Sequence, residues 1–190
     1  MPTLARVTDQ AVPLLWLTGP SGVGKTTLGR EIHAGLVASG IHAAFLDADQ
    51  IGMLWPVPDD DPDMHRVKAR NLGEVWAVFR RAGARCLVLA GGIDSAEQAE
   101  LYAHEVPGTA LTLCRLRVTE TQLRERFLGR GWKPEIIDQI VGEAEAMDRS
   151  DFADVCVDIG GTTVARAAAL VLERAGGWPG LTEEAGSDVC

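Results

Sequence analysis

Four residues near the start of the chain have the types and spacing needed to hold phosphate groups. Gly19 and Gly24 are separated by four residues, and Lys25 and Thr26 follow directly. Glycine lets a backbone turn until its N–H groups point at phosphate oxygens, lysine adds a mobile cation, and a hydroxyl can ligate Mg²⁺. This is the Walker A pattern without a departure, so we predict a nucleoside triphosphate site with Mg²⁺. The predicted nucleotide-binding residues are Gly19, Ser21, Gly22, Val23, Gly24, Lys25, Thr26 and Thr27.

A second group suited to phosphate chemistry is the pair Arg126 and Arg130. Phosphoryl transfer spreads negative charge over the equatorial oxygens, and arginine is suited to neutralise it. The two arginines are four residues apart, hence on one helical face if the helix persists, and Gly129 and Gly131 flank Arg130. We predict that both arginines are catalytic and that the glycines form the hinge of a closing lid. The alternative is a solvated basic helix.

Five short apolar segments alternate with helical patterns along the chain. Nearly unbroken apolar runs of this length are typical of strands buried on both faces. The predicted strands are 12–18, 42–47, 86–90, 111–118 and 155–159. Amphipathic helices between them, the longest from about 63 to 82, indicate an α/β domain with a parallel sheet covered on both faces. The phosphate-binding residues follow the first strand, at the carboxyl edge where such folds bind ligands, which disfavours a glycine-rich turn that binds nothing.

Composition limits the classes of partner. The chain has 190 residues, a net charge of -9 and 46% hydrophobic residues, as expected of one globular domain. An acidic chain lacks the basic face that nucleic acid or an anionic membrane requires. It shows no apolar stretch of about 20 residues, no evident signal peptide and no CxxC spacing among its cysteines. We therefore expect a cytoplasmic protein with one domain at 1–175, a flexible tail at 176–190, and neither a nucleic-acid nor a membrane partner.

Two missing motifs narrow the class of nucleotide-binding protein. The chain has no Asn-Lys-x-Asp segment for reading guanine, which disfavours a GTPase switch protein. Its third predicted strand ends in Leu89-Ala90-Gly91-Gly92 rather than in an acidic residue, so the usual hydrolysis-type Walker B motif is missing. That absence disfavours motor and transporter ATPases. The acids come instead after the second strand.

The segment around those acids carries a family resemblance. Phe45-Leu-Asp-Ala-Asp49 resembles the strand-two signature of small-molecule kinases such as adenylylsulfate kinase, gluconate kinase and chloramphenicol phosphotransferase. The segment 73–79 is similar to adenylylsulfate kinase in particular, the glycines after strand three resemble those of shikimate kinase, and 123–130 resembles the arginine-bearing lid of the superfamily. The resemblance covers residues 12–175. It implies a three-layer α/β/α P-loop NTPase fold with a five-stranded parallel sheet of order 2-3-1-4-5 and a helical lid at about 120–148.

The resemblance also implies roles for the acids. In such kinases the acid after strand two lies beside the transferred phosphoryl group, so Asp49 is expected to orient or deprotonate the acceptor hydroxyl. Asp47 is expected to hold Mg²⁺ through water, with the Thr26 hydroxyl as the other metal ligand. The predicted catalytic residues are then Lys25, Asp49, Arg126 and Arg130. The alternative for either aspartate is a cap on the following helix.

The resemblance to adenylylsulfate kinase breaks down where that enzyme recognises its acceptor. Gly52 occupies the position of an arginine, and Gly91-Gly92-Ile93-Asp94 replaces a loop that contains phenylalanine and arginine. We therefore reject adenylylsulfate as the acceptor and retain the scaffold. The run of three aspartates at 59–61 is interpreted as a solvated loop, or alternatively attracts a cationic acceptor such as an amino sugar. The predicted acceptor-site residues are Asp49, Trp55, Arg70, Gly91 and Gly92.

These residues together predict an ATP-dependent kinase that phosphorylates a hydroxyl of a metabolite or antibiotic. One alternative is a nucleoside or nucleotide kinase, although a nucleotide acceptor calls for more cationic groups than the sequence offers. Another is a nucleotide-binding accessory protein without transfer activity. The sequence does not distinguish ATP from GTP, a monomer from a homodimer, or one small-molecule acceptor from another.

Overall fold

The computed structural model describes residues 11–131, 133–176 and 178. Within these residues five strands form one sheet, and each strand coincides with an apolar run of the sequence. The strands are β1 Val12–Thr18, β2 Ala43–Asp47, β3 Cys86–Ala90, β4 Thr109–Arg117 and β5 Val155–Asp158. The largest difference from the predicted bounds is at β4, which the sequence places at 111–118.

Six α-helices connect or follow the strands within the described residues. These helices are α1 Lys25–Ala38, α2 His65–Arg81, α3 Ala96–Glu105, α4 Glu120–Leu128, α5 Ile137–Asp148 and α6 Val164–Arg174. Short 3₁₀ turns occur at Gln50–Gly52 and Pro134–Ile136. None of the helices in the described part of the chain combines the length and apolar character needed to cross a membrane.

The strand order is β2-β3-β1-β4-β5, and every neighbouring pair is parallel. This confirms the predicted α/β fold and strand order. Because all strands point the same way, their carboxyl ends lie along one edge, where Thr18 is level with Arg115 and Asp47 with Ala90. The loops that follow β1, β2 and β3 therefore meet at the edge where the sequence predicts the site.

Two apolar clusters cover the two faces of the sheet. Leu15 and Leu17 of β1 belong to the cluster that includes residues of α1 and α6. Leu14 and Trp16, which alternate with them, belong to the cluster that includes residues of α2 and α3. Burial on both faces explains why β1 is an unbroken apolar run. Trp178 is buried in the first cluster, and the rest of the predicted tail beyond Gly176 lies outside the described residues.

Helix α2 begins at His65, slightly later than predicted, and Asp61 caps its first turn. The carboxylate oxygens of Asp61 accept hydrogen bonds from the backbone N–H groups of Arg66 (3.2 Å) and Val67 (3.0 Å). Burial by itself raises the pKa of Asp61, but these two hydrogen bonds together hold the pKa below its ordinary value. The interpretation of 59–61 as a solvated loop is therefore wrong for Asp61, which is buried.

We expect Asp61→Ala to lower the free energy of unfolding by about 1–2 kcal/mol, because two N–H groups of the first turn lose their acceptor. Since the folded-state pKa is lowered, this stabilisation is present at neutral pH and is lost as the pH falls below the ordinary aspartate range. Urea denaturation at neutral and acidic pH measures both effects. Asp60→Ala is the matched control, because the exposed Asp60 side chain makes only a surface ion pair with Arg66. Equal losses in the two variants would contradict the capping role.

Candidate active site

The loop between β1 and α1 has the backbone conformation that phosphate binding requires. Gly19, Gly22 and Gly24 have positive φ angles of 140°, 88° and 116°. A Cβ on Gly19 would lie 2.8 Å from the carbonyl oxygen of Leu116 in β4, so a side chain does not fit there. Helix α1 begins directly after the loop, at Lys25, and its positive end faces the loop. The loop is therefore shaped to hold an anion.

Lys25 is half-buried at the centre of this arrangement. Its Nζ donates hydrogen bonds to the carbonyl oxygens of Gly19 (2.8 Å) and Pro20 (3.2 Å). Burial lowers the pKa of Lys25, and the negative charges of Asp49 and Asp47 oppose that shift. The Lys25 ammonium group is thus held by the loop and lies within the electrostatic reach of both strand-two aspartates.

The two predicted metal ligands are in contact. Thr26 Oγ1 donates a 2.6 Å hydrogen bond to Asp47 Oδ2, and Asp47 Oδ1 accepts one of 3.0 Å from the backbone N–H of Asp49. Mg²⁺ prefers such oxygen donors and usually takes only one or two protein carboxylates, with phosphate and water completing its coordination. No cluster of three or more metal-binding side chains occurs in the described part of the chain. The donors at Thr26 and Asp47 therefore fit Mg²⁺ that binds together with a nucleotide.

Asp49 pairs with a lysine that sequence reasoning missed. Lys68 Nζ, from α2, lies 3.4 Å from Asp49 Oδ1, and the Lys68 side chain is only 16% exposed. Its stem runs over Gly52, where an added Cβ would lie 2.4 Å from Lys68 Cγ. The missing side chain at Gly52 thus makes room for Lys68. No sequence motif marks Lys68 as a partner of Asp49. The pairing follows only from the packing of α2 against the turn at 50–52.

The two predicted catalytic arginines lie at the end of α4, beside the phosphate-binding loop. Arg126 Nη1 donates a 2.6 Å hydrogen bond to the carbonyl oxygen of Val23. Helix α4 ends at Leu128, so Arg130 follows in a turn and does not extend the helical face of Arg126. After burial and the two aspartates, the positive charge of Arg130 is the next influence on the pKa of Lys25, which it lowers. Both arginines are therefore close to where phosphate would bind.

Two cavities open on either side of the loop. The α4 cavity, of about 400 Å³, is lined by Gly22 to Gly24, by Arg126 and Arg130, and by apolar residues that include Ile159. The other, which we name the α2 cleft, has a volume of about 620 Å³. Its lining includes Lys25, Asp49, His65, Lys68, Asp94 and Glu143. The phosphate-binding loop therefore separates a partly apolar cavity from a polar cleft.

Two of the predicted acceptor-site residues line the α2 cleft, namely Asp49 and Gly92. Gly91 is buried, and a Cβ there would lie 2.7 Å from the Cβ of Ala48. Gly91 therefore does not line the cleft but allows the segment after β3 to pack closely against the segment after β2.

Trp55 and Arg70 do not line the α2 cleft with Asp49, so their predicted place in the acceptor site stays a prediction. The Trp55 side chain is 86% exposed on the loop before α2. Arg70 lines a separate groove beside Trp76. Because Arg70 is two residues beyond Lys68 on α2, it points away from the cleft that Lys68 lines.

Three further residues that line the cleft, His65, Asp94 and Glu143, are not among the site residues that the sequence predicts. The His65 ring nitrogen Nδ1 is 3.0 Å from the hydroxyl of the buried Tyr102. Burial, followed by the charge of Lys68, lowers the pKa of His65, so its imidazole is uncharged at neutral pH. These residues give the cleft its polar character.

Known kinases are similar to this chain in sequence. An adenylyl-sulfate kinase from Shewanella oneidensis is 35% identical over 85 residues, which make up 42% of this chain and 39% of that protein. A probable adenylyl-sulfate kinase from Halalkalibacterium halodurans is 26% identical over 166 residues, covering 84% of this chain and 78% of its own length. The match to the Shewanella protein thus spans well under two thirds of that relative. These relatives confirm the resemblance to small-molecule kinases.

A solved structure extends the likeness to the whole fold. The tunicamycin resistance protein of Deinococcus radiodurans superimposes with a TM-score of 0.67 at 19% identity, covering 87% of this chain and 96% of that chain. A family model described as AAA domain matches residues 15–149, from within β1 to just beyond α5. The matched segment contains the phosphate-binding loop, Asp47, Asp49, Arg126 and Arg130. The chain therefore belongs to this AAA-domain family of P-loop proteins.

Proposed function

We propose that this chain is a kinase that transfers the γ-phosphoryl group of ATP to a hydroxyl of a small molecule. The observation that carries the proposal is that Lys25 and Asp49 line one open cleft beside the phosphate-binding loop. A volume of about 620 Å³ is within the range of small-molecule sites. A protein that only hydrolyses ATP needs to admit water, and a cleft of this size with a carboxylate at the loop suits a larger acceptor.

The donor half of the proposed site is built from the loop and α1. The loop N–H groups and the positive end of α1 bind the β- and γ-phosphates. Lys25 exchanges its two carbonyl partners for phosphate oxygens. Thr26 and Asp47 would hold Mg²⁺, which would supply positive charge to the same phosphates. The nucleoside occupies the α4 cavity, against Arg126 and Ile159.

The acceptor half is built around Asp49. Its carboxylate accepts the proton of the acceptor hydroxyl as that oxygen attacks the γ-phosphorus. A new P–O bond forms to the acceptor, the bond from the γ-phosphorus to the bridging oxygen breaks, and ADP leaves. Arg126 and Arg130 neutralise charge that develops on the transferred group, while Lys68 holds the Asp49 carboxylate in position.

The relatives support a small-molecule acceptor but not its identity. The names of the Shewanella and Halalkalibacterium proteins specify adenylyl sulfate. In this chain, Gly52 and the segment 91–94 stand where adenylylsulfate kinase has the groups that recognise that acceptor, so we reject adenylylsulfate. The name of the Deinococcus protein connects the same fold with an antibiotic. We therefore propose a metabolite or antibiotic that carries a hydroxyl group.

We expect ATP consumption by the purified chain to depend on Mg²⁺ and to be stimulated by one member of a panel of sugars, amino sugars, nucleosides and aminoglycosides. A coupled assay for ADP measures the stimulation, and mass spectrometry identifies the phosphorylated product. Enzyme without Mg²⁺ is the control. ATP consumption that no panel member stimulates and that yields only inorganic phosphate would count against a transferase.

A further inference from the structure

The α2 cleft is lined by more acidic than basic side chains. Asp63, Asp94 and Glu143 line it in addition to Asp49, whereas the only basic side chains among its described lining residues are Lys25 and Lys68. His65 does not change this balance, because its imidazole is uncharged at neutral pH. The excess of negative charge thus lies on the acceptor side of the phosphate-binding loop.

Both lysines of the cleft already have partners. Lys25 donates to two loop carbonyls and is positioned for phosphate. Lys68 lies 3.4 Å from Asp49 Oδ1. Neither cation is therefore left to balance a carboxylate, sulfate or phosphate on the acceptor.

The remaining three acids stand on separate elements and have no ion-pair partner among the described residues. Asp63 precedes α2, Asp94 follows β3, and Glu143 lies on α5. The charges of Asp63 and Asp94 both act on the pKa of His65, opposing the larger effect of burial, so these two carboxylates lie near the same ring. Glu143 similarly raises the pKa of Lys25 against the dominant effect of burial. The three carboxylates therefore surround the cleft from different sides.

We infer that the acceptor of this cleft is a hydroxylated small molecule that also carries at least one protonated amine, such as an amino sugar or an aminocyclitol. An ammonium group is attracted by the three carboxylates and donates hydrogen bonds to them, whereas an anionic acceptor is repelled. The inference rests on the proposed function and specifies its substrate class. It assigns the preference for a cation to Asp63, Asp94 and Glu143, because Asp60 pairs with Arg66 and Asp61 caps α2.

A binding experiment tests the ligand class without requiring turnover. The protein is loaded with Mg²⁺ and the non-hydrolysable analogue AMP-PNP, and calorimetry measures binding of kanamycin and glucosamine, of their N-acetylated forms, and of gluconate and shikimate. We expect at least one amine to bind about tenfold or more tightly than its acetylated form, with an affinity that falls as salt is added. Gluconate and shikimate, which each carry a carboxylate, are expected not to compete with the amines for the cleft.

A pair of double variants assigns the preference to the cleft. Asp94→Asn with Glu143→Gln removes two cleft carboxylates, and Glu100→Gln with Glu145→Gln removes two exposed carboxylates that line neither cavity. We expect the first pair to weaken amine binding about five- to tenfold and the second to leave it nearly unchanged, as for partly exposed charge pairs. Thermal unfolding of both proteins verifies that each is folded.

Each outcome decides the question. Equal affinity for amines and their acetylated forms, preference for gluconate or shikimate, no binding by either amine, or equal effects of the two double variants overturns the inference. If an amine binds as expected but never receives a phosphoryl group, the proposed function fails while the ligand class stands. If a carboxylate-bearing acceptor is phosphorylated instead, the function stands and the ligand class fails.

Discussion

Replacing Lys25 with methionine should lower kcat for phosphoryl transfer by about 100- to 1000-fold, the range measured when one charge-stabilising donor is removed from an active site. Methionine keeps an unbranched apolar side chain but lacks the ammonium group that would stabilise the negative charge of the γ-phosphate during transfer. Lys25 is half-buried between the loop carbonyls and the two aspartates, and no other described lysine lies beside the loop carbonyls to replace it.

The measurement for Lys25→Met is steady-state transfer to the acceptor that the panel identifies, at saturating ATP. Lys133→Met is the matched control, because Lys133 is exposed and lines neither the α4 cavity nor the α2 cleft. We expect this control to retain the wild-type rate. A Lys25→Met protein with more than about a tenth of wild-type kcat would show that the loop lysine does not stabilise the transferred phosphoryl group.

Asp49→Asn should lower kcat by about 100- to 10,000-fold with little change in ATP affinity, because general-base assistance contributes rate factors of that order. Asparagine has nearly the shape of aspartate but cannot take the proton of the acceptor hydroxyl. ATP binding should persist, since Thr26 keeps its 2.6 Å contact with Asp47 and the loop is unchanged.

Fluorescent-nucleotide binding and acceptor turnover, measured on the same preparation, separate these two effects. Asp59→Asn is the control for loss of one exposed acidic charge, because Asp59 lines neither the α4 cavity nor the α2 cleft. If the Asp49→Asn variant turned over the acceptor at the normal rate, Asp49 would not act as the general base. Retention of both ATP binding and biological output by this variant would instead favour the accessory-protein alternative.

The parts of the site that the sequence predicts are those whose geometry is local. Gly19, Lys25 and Thr26 lie within eight residues, and their positions follow from one strand, one turn and one helix. The fold follows from apolar runs that are buried on both faces, as β1 illustrates. Thr26 and Asp47 meet because parallel strands end at a common edge, which the alternation of strands and helices already implies.

The residues that the sequence did not predict depend on how α2 is placed. Lys68 reaches Asp49 only because the turn at 50–52 packs under its stem, and no spacing rule encodes that contact. Arg70 is a predicted acceptor-site residue, but in the structure it lines a separate groove beside Trp76. Trp55 is apolar, yet its loop leaves it exposed, since local composition does not determine the direction of a loop. The residues expected to recognise the acceptor are therefore the part of the site that could be located only from the structure.

In the proposed site, the donor and acceptor halves meet at Lys25 and Asp49, so that the phosphoryl group passes directly from ATP to the acceptor. A single-turnover chase tests it: the protein is loaded with γ-labelled ATP and Mg²⁺, then mixed with excess unlabelled ATP and the acceptor. We predict that label appears in the phosphorylated acceptor as fast as the bound labelled ATP is consumed. Label that appears only in inorganic phosphate, at a rate independent of the acceptor, would show that the chain hydrolyses ATP and does not transfer the phosphoryl group.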